Sequence, residues 1–332
     1  MTAINGTIYD DSFGSTASND SLLGLGGEDT LYANAGGEYL YGGDDTDILY
    51  GSYGGAATLL TRMYGDGGDD FIHGSTYKDQ MFGGTGSDWM GLSYGNDTLY
   101  GGTDAGAFDT ISFHDVSSVA ITFTLAGSGV GTVTLANSGG SGVTKYYGIE
   151  GVEGGSADDH LTGNAGANDL AGGIGNDVLS GLAGNDLLIG GYDHDTLTGG
   201  SGADYFAFDG GGPGSGFGPP ALISARTSDT VADFNPNVDS LLFNTGNFKT
   251  LYATADEVGK MANDYHIFNL LPSEFVTQDT RYAHTLSAHL IYDRVDGRLY
   301  YDADGALSYY HSIVVADIGK NLTIDASHLY LY

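Results

Sequence analysis

Asp177, Asp186, Asp195 and Asp204 stand nine residues apart, each sixth in a nonapeptide: GGIGNDVLS, GLAGNDLLI, GGYDHDTLT, GGSGADYFA. Earlier, GGSADDHLT places Asp159 in the same slot and GNAGANDLA places Asn168 there. A second run puts Asp11, Asp20, Asp29, Glu38, Asp47 and Ala56 in register. After a slip of five residues it resumes with Asp70, Asp79, Asp88 and Asp97, and a three-residue insertion leads to Asp109. Carboxylates repeated among glycine-exposed carbonyls are hard oxygen donors. A hard divalent cation takes roughly six to eight such oxygens in flexible geometry.

The elements that position the slots follow from the residue two places on. These residues are Phe13, Leu22, Leu31, Leu40, Leu49, Thr58, Ile72, Met81, Met90, Leu99 and Ile111, then Leu161, Leu170, Leu179, Leu188, Leu197 and Phe206. All but Thr58 are apolar. Six turn residues alternate with a three-residue strand whose central side chain points inward. Two such units close a coil of 18 residues, so parallel sheets face each other across a thin core. Burying one leucine contributes about 1.5–3 kcal/mol. Ordering the backbone costs about 1–2 kcal/mol per residue. One core residue in nine is therefore not enough, and something else must act at the turns.

The nonapeptides resemble the RTX (repeats-in-toxin) repeat G-G-x-G-x-D-x-U-x, a calcium-binding β-helix motif given as such among the standard repeat signatures. The resemblance covers roughly residues 6–112 and 154–207. It implies several Ca2+ ions, each between turns one coil apart. One implied ligand set is Gly173, Gly175, Asp177, Gly190, Tyr192 and Asp195; another is Gly155, Ala157, Asp159, Gly172, Ile174 and Asp177. On the opposite edge the set is Leu182, Gly184, Asp186, Gly199, Ser201 and Asp204. In the first run, Leu25, Gly27, Asp29, Gly42, Asp44 and Asp47 form one set, and Asp66, Gly68, Asp70, Gly83, Thr85 and Asp88 another. Asp79 with Asp97 is a third, though GSTYKD and LSYGND depart from the glycine pattern. Calcium is expected weak or absent at Asp20, Glu38 and Ala56, and weaker where Asn168 stands beside Asp186. Glycine–Asp turns can also be plain turns, since Asx side chains bond their own backbone.

Fold class follows as all-β: a parallel β-roll, or β-solenoid, in two repeat blocks with a β-rich C-terminal cap. The expected divisions are a first block over 1–112, a strand meander over 113–153, a second block over 154–207, and a capping and secretion-signal region over 208–332. The meander reading rests on VAITFTLAGSGVGTVTLANSGG, which alternates and is rich in β-branched residues. GGGPGSGFGPP reads as a surface loop, and SDTVADFNPNVDSLLF as the closing segment, with Asp229, Asp233 and Asp239 as further candidate ligands. The cap is expected to hold strands, one short helix near 254–263, and a hairpin around Asp296-Gly297. Asp302-Ala303-Asp304-Gly305 resembles half a calcium loop and reads more simply as a turn.

Composition sets the partners. Ten Lys and Arg against 43 Asp and Glu give a formal charge of −33 over 332 residues. Nucleic acid is excluded, because phosphate binding needs a basic surface. Such a charge opposes compaction unless cations neutralise it. Cysteine is absent, so thiolate sites and disulfides are impossible. No apolar run is long enough to span a membrane, and the first residues lack the basic and apolar regions of a signal peptide. The resemblance implies export by type I secretion machinery under an uncleaved C-terminal signal, and an extracellular or cell-surface location.

Catalysis finds little support in the sequence. GLSYG matches a nucleophile elbow around Ser93, but that motif needs a strand-to-helix turn in an α/β domain. No HExxH occurs. Outward positions in the first run carry Tyr32, Tyr39, Tyr41, Tyr50, Phe71, Phe82, Trp89 and Tyr100, whereas the second run has Thr162, Ser180, Thr196 and Thr198. Aromatic stripes of this kind are either covered internally or mark self-association or binding of cell-surface glycan. The expected function is a non-enzymatic extracellular structural or adhesive protein. The alternatives are a small effector acting on host membranes and a targeting module for a separate enzyme.

Overall fold

The computed structural model describes residues 2–52, 59–102, 106–114, 119–127, 130–137, 140–208, 229–244, 253–260, 266–270, 275–278, 289–302 and 312–332. Its strands form mostly parallel sheets, and the chain is an all-β roll. It divides into two compact units, residues 1–117 with 125–153, and residues 118–124 with 154–332.

In the first unit one sheet runs through Ala3–Asn5, Ser21–Gly26, Tyr39–Asp44, Thr61–Gly67, Asp79–Thr85, Thr98–Gly102 and Gly140–Tyr147 in parallel register. The antiparallel strand Gly131–Asn137 completes it. The facing sheet runs through Ser12–Gly14, Thr30–Tyr32, Ile48–Tyr50, Phe71–His73, Trp89–Gly91, Thr110–Ser112 and Gly151–Glu153. Leu22, Leu40, Met81 and Leu99 from one sheet, and Leu31, Leu49, Ile72, Met90 and Ile111 from the other, are fully buried between them.

The register corrects one sequence reading. Leu40 pairs with Met63, and Met63 with Met81. Met63 is the fully buried core residue of that coil, and Thr61 holds its slot. The five extra residues therefore precede Thr61. Ala56 and Thr58, which strict counting placed in the slot and the core, lie outside the described residues.

Parallel in-register pairing also sets the outer face. Residues at equivalent positions sit one strand spacing apart. Tyr41, Tyr64, Phe82, Tyr100 and Tyr147 consequently stack ring on ring at 4.7–4.8 Å. On the facing sheet, Tyr32, Tyr50 and His73 stack at 5.1 and 4.7 Å.

In the second unit Thr122–Thr124, His160–Thr162, Val178–Ala183, Thr196–Ser201 and Asp229–Val231 form one parallel series. It continues through Ser312–Asp317, Arg298–Asp302, Leu290–Asp293 and Phe275–Gln278. Residues 122–124 thus open this roll. The other sheet takes Asp169–Ile174, Leu187–Tyr192, Tyr205–Phe208, Ser240–Phe243 and Leu329–Leu331, then His266–Leu270 and Ala253–Lys260. Its outward face is not polar: Ala171, Leu187, Ile189, Ala207 and Leu242 form a buried cluster with Tyr205, Tyr330 and Tyr332 packed against it.

The helix expected near 254–263 is a strand. Ala253–Lys260 pairs antiparallel with His266–Leu270, so tertiary pairing overrides a weak local preference. The hairpin at Asp296-Gly297 forms as read, with Asp293 opposite Arg298 and Gly297 at φ 88°. The glycine- and proline-rich stretch after Phe208 and residues 303–305 lie outside the described residues.

Candidate metal sites at the turns

At the end of most turns the slot residue enters a strand with its N–H aimed along the stack, and the next coil's slot side chain receives it. Asp29 N–H donates to Asp47 Oδ1 at 2.7 Å, Asp47 to Asp70 at 2.8 Å, and Asp79 to Asp97 at 2.8 Å. Asp159 donates to Asp177 at 2.6 Å, Asp177 to Asp195 at 2.8 Å, and Asp186 to Asp204 at 3.0 Å. Asp195 and Asp204 extend the ladders to Asp229 and Asp239. In these ladders one carboxylate oxygen of each accepting slot is therefore spent on the neighbouring coil's backbone.

The second oxygen divides the turns into two kinds. In closed turns the residue four places before the slot supplies the donor. Thr7 donates its N–H and Oγ1–H to Asp11 Oδ2, Thr16 does so to Asp20 Oδ2, and Ser75 N–H and Oγ–H reach Asp79 Oδ2 at 2.6 and 2.8 Å. Ser93 Oγ–H reaches Asp97 Oδ2 at 2.9 Å. Gly155, Asn164 and Asn235 close the turns of Asp159, Asn168 and Asp239 by their N–H groups.

In open turns that same position is left-handed. Leu25, Gly43, Asp66, Gly84, Gly173, Leu182, Gly191 and Gly200 all have positive φ, as do Gly27, Asp45, Gly68, Gly86, Gly175, Gly184, Asp193 and Gly202 two places on. This conformation favours glycine, and it turns the local N–H away from the slot. The Oδ2 atoms of Asp29, Asp47, Asp70, Asp177, Asp186 and Asp195 are buried without a hydrogen-bond partner. Such orphaned oxygens are costly unless something neutralises them.

A hard cation fits there. The carbonyls of Leu25, Asp66, Gly173 and Leu182 lie against Gly43, Gly84, Gly191 and Gly200 of the following coil, where a Cβ would strike them. The carbonyls of Gly42, Gly190 and Gly199 face back onto Gly24, Gly172 and Gly181. Thr85, Tyr192 and Ser201 carbonyls each accept one N–H, from Gly68, Gly175 and Gly184, and keep a second lone pair. Among the described residues no three acidic or histidine side chains converge, so the donors would be carboxylates eked out by main-chain carbonyls.

Electrostatics adds a demand for counter-charge, though it does not by itself single out the open turns, since burial also raises Asp79 to about 6 and Asp97 to about 7. Burial first, then neighbouring carboxylates, push Asp47, Asp177 and Asp186 up to about 7 and Asp70 and Asp195 up to about 8, against the hydrogen bonds that lower them. Holding such stacked carboxylates ionised together at neutral pH requires positive charge between them.

Compared with known families, the chain matches the RTX calcium-binding nonapeptide repeat (4 copies) at residues 5–37, 14–49, 64–92, 92–105, 148–179 and 180–212. The stacked turns are RTX repeats. RTX repeats bind Ca2+, several ions to a block, and proteins that carry them are typically secreted. No curated protein matches the chain.

Within this RTX roll the sequence-derived ligand sets fall differently. The sets on Asp29/Asp47, Asp70/Asp88, Asp177/Asp195 and Asp186/Asp204 each join two turns of the left-handed kind. The set on Asp159/Asp177 joins a closed turn to an open one, and Asp79 and Asp97 both lie in closed turns. A further pairing was hidden by the insertion. Asp47 and Asp70 are consecutive on the ladder, and the Asp45 carbonyl abuts Gly68. Gly43, Asp45, Gly65 and Gly67 belong to that interval.

The residue before the slot forms a second ladder that the sequence reading missed. Asp10 accepts Glu28 N–H, Asp69 accepts Ser87 N–H, Asp158 accepts Asn176 N–H, and Asn185 accepts Ala203 N–H. Its signal was the recurrence of Asp and Asn at that place. Asp233 clamps the Gly199 and Gly200 N–H groups at 3.0 and 2.9 Å.

Proposed function

We propose that this chain is a calcium-dependent extracellular protein with a structural or adhesive role and no catalytic one. The observation carrying this reading is the row of buried carboxylate oxygens in the open turns, which gives the roll a reason to form only where calcium is plentiful. At tenfold excess over Kd each ion adds about 1.4 kcal/mol to the folded state, so several ions act as a switch. Extracellular modules bind calcium at about 10⁻⁴–10⁻³ M. Export as an unfolded chain through type I machinery, followed by folding outside, agrees with that linkage.

The hydroxyl that the sequence offers as a nucleophile is spent within its own turn. Ser93 is buried and donates to Asp97, which supports a repeat turn over a nucleophile elbow. The stacked tyrosines use their ring faces on one another, which favours contact through ring edges, as in self-association, over sugar stacking on a free face.

The test is light scattering with circular dichroism during calcium titration, with Asp177→Ala and Asp195→Ala as controls. Calcium-triggered folding followed by assembly is expected, shifted to higher calcium in both variants. Identical spectra and melting in chelator and in millimolar calcium would remove the reading.

A further inference from the structure

The two edges of the first unit differ in a way that the repeat period conceals. One edge carries Asp29, Asp47, Asp70 and Asp88 at turns with paired left-handed residues. The opposite edge carries Asp20, Glu38, Thr61, Asp79 and Asp97. Here hydroxyls occupy the slot oxygens: Thr16 on Asp20, Ser15 on Glu38 at 3.1 Å, Ser75 on Asp79 and Ser93 on Asp97.

We propose that calcium occupies only the Asp29–Asp47–Asp70–Asp88 edge of this unit, and that the opposite edge is a metal-free seam closed by serine and threonine hydroxyls. The inference rests on the calcium reading above and deepens it.

Three observations carry it. The Ser75 and Ser93 hydroxyls stand on the carboxylate oxygens that the open turns leave bare, so protein donors already satisfy that position. The seam turns 74–79 and 92–97 contain no left-handed residue, and so lack the paired inversions that characterise the open turns. Two seam oxygens remain unpartnered, Glu38 Oε2 and Asp79 Oδ1. They belong to coils separated by the coil of Thr61, whereas a bridging ion needs donors from successive coils. The seam at Asp79 and Asp97 thus departs from the ligand set that the repeat pattern implied.

The test uses the full chain and calcium itself, counting bound ions by native mass spectrometry and following the titration by calorimetry. Asp79→Asn and Asp97→Asn keep an acceptor for the serine hydroxyl, and circular dichroism in calcium verifies that each variant folds. Both are expected to hold as many ions as the parent at an unchanged midpoint. Asp70→Asn, which removes an open-turn carboxylate, is expected to lose at least one ion or to raise the midpoint about tenfold, roughly the effect of 1.4 kcal/mol. Loss of ions from Asp79→Asn or Asp97→Asn overturns the seam, as does an Asp70→Asn variant that titrates like the parent. A parent protein that takes up no calcium overturns the underlying calcium reading instead, and the seam with it.

Discussion

The Asp70 carboxylate accepts the Asp47 main-chain N–H at 2.8 Å across 23 positions of sequence, with the geometry of its neighbours that span 18. The five additional positions before Thr61 leave the ladder unbroken. The slot carboxylate thus has two duties, one to the backbone and one to a cation, and they are separable.

Asp70→Asn should lose only the second duty, since an amide oxygen still accepts the Asp47 N–H. Asp70→Ala loses both and leaves a buried N–H unpaired, which costs about 1–3 kcal/mol. In saturating calcium, urea unfolding should therefore rank parent, Asp70→Asn, Asp70→Ala in falling stability. Equal values for the two variants would mean that the ladder bond contributes nothing.

The pH response of the calcium-free protein should run opposite to ordinary acid denaturation. Asp47, Asp70, Asp177, Asp186 and Asp195 have folded pKa values of about 7–8, above the ordinary 3.8. The folded chain thus binds more protons than the unfolded one across that window, and stability falls as pH rises through it. In chelator, circular dichroism should show structure gained on lowering the pH from 8 toward 5. In limiting calcium the same acidification should release the ion, because protons compete for the same oxygens.

Backbone inversion at the open turns gives a paired prediction. Leu25 sits at φ 88° and is about half exposed. A left-handed side chain costs roughly 1–2 kcal/mol, partly offset by glycine's extra unfolded freedom of about 0.5–1 kcal/mol. Leu25→Gly should be neutral or stabilising by up to about 1 kcal/mol. Gly68→Ala should be plainly destabilising, since φ is 126° and the new Cβ would strike the Asp45 carbonyl. Chemical unfolding in calcium measures both, and a destabilised Leu25→Gly would refute the strain argument.

The tyrosine stack predicts a stability effect that leaves metal untouched. Tyr64 stacks between Tyr41 and Phe82, and aromatic pairs contribute about 0.5–1.5 kcal/mol each. Tyr64→Ala should cost about 1–3 kcal/mol in unfolding free energy while binding as many calcium ions as the parent. A changed ion count would tie the stack to the turns.

Much of this architecture was legible because one period governs both the slot and the core. Counting in nines identified Leu22 through Ile111 and Leu161 through Phe206 as the inward residues without any tertiary information. It failed at Met63, because GSYGGAATLLTR offers leucines but no acidic residue to mark where the insertion ends. The open or closed character of a turn was only half visible. Ser or Thr four places before the slot does announce closure at Asp11, Asp20, Asp79 and Asp97. Yet Gly155 closes its turn while Leu25, Asp66 and Leu182 open theirs, because φ decides and residue type only biases it. The buried outer face around Leu187 and Ile189 escaped notice for a different reason. It depends on Tyr330 and Tyr332 arriving from far along the chain.

The carboxylate ladder has a direction. Each coil lends an acceptor to the coil before it and borrows one from the coil after it. Peeling away a leading coil uncovers oxygens, which water solvates readily. Peeling away a trailing coil strands an N–H inside a strand end. Erosion is therefore gentler from the front than from the rear, and the rear is where a seal is needed. Asp239 provides one, folding its own N–H back onto the Asn235 carbonyl so that this ladder ends owing nothing to a further turn.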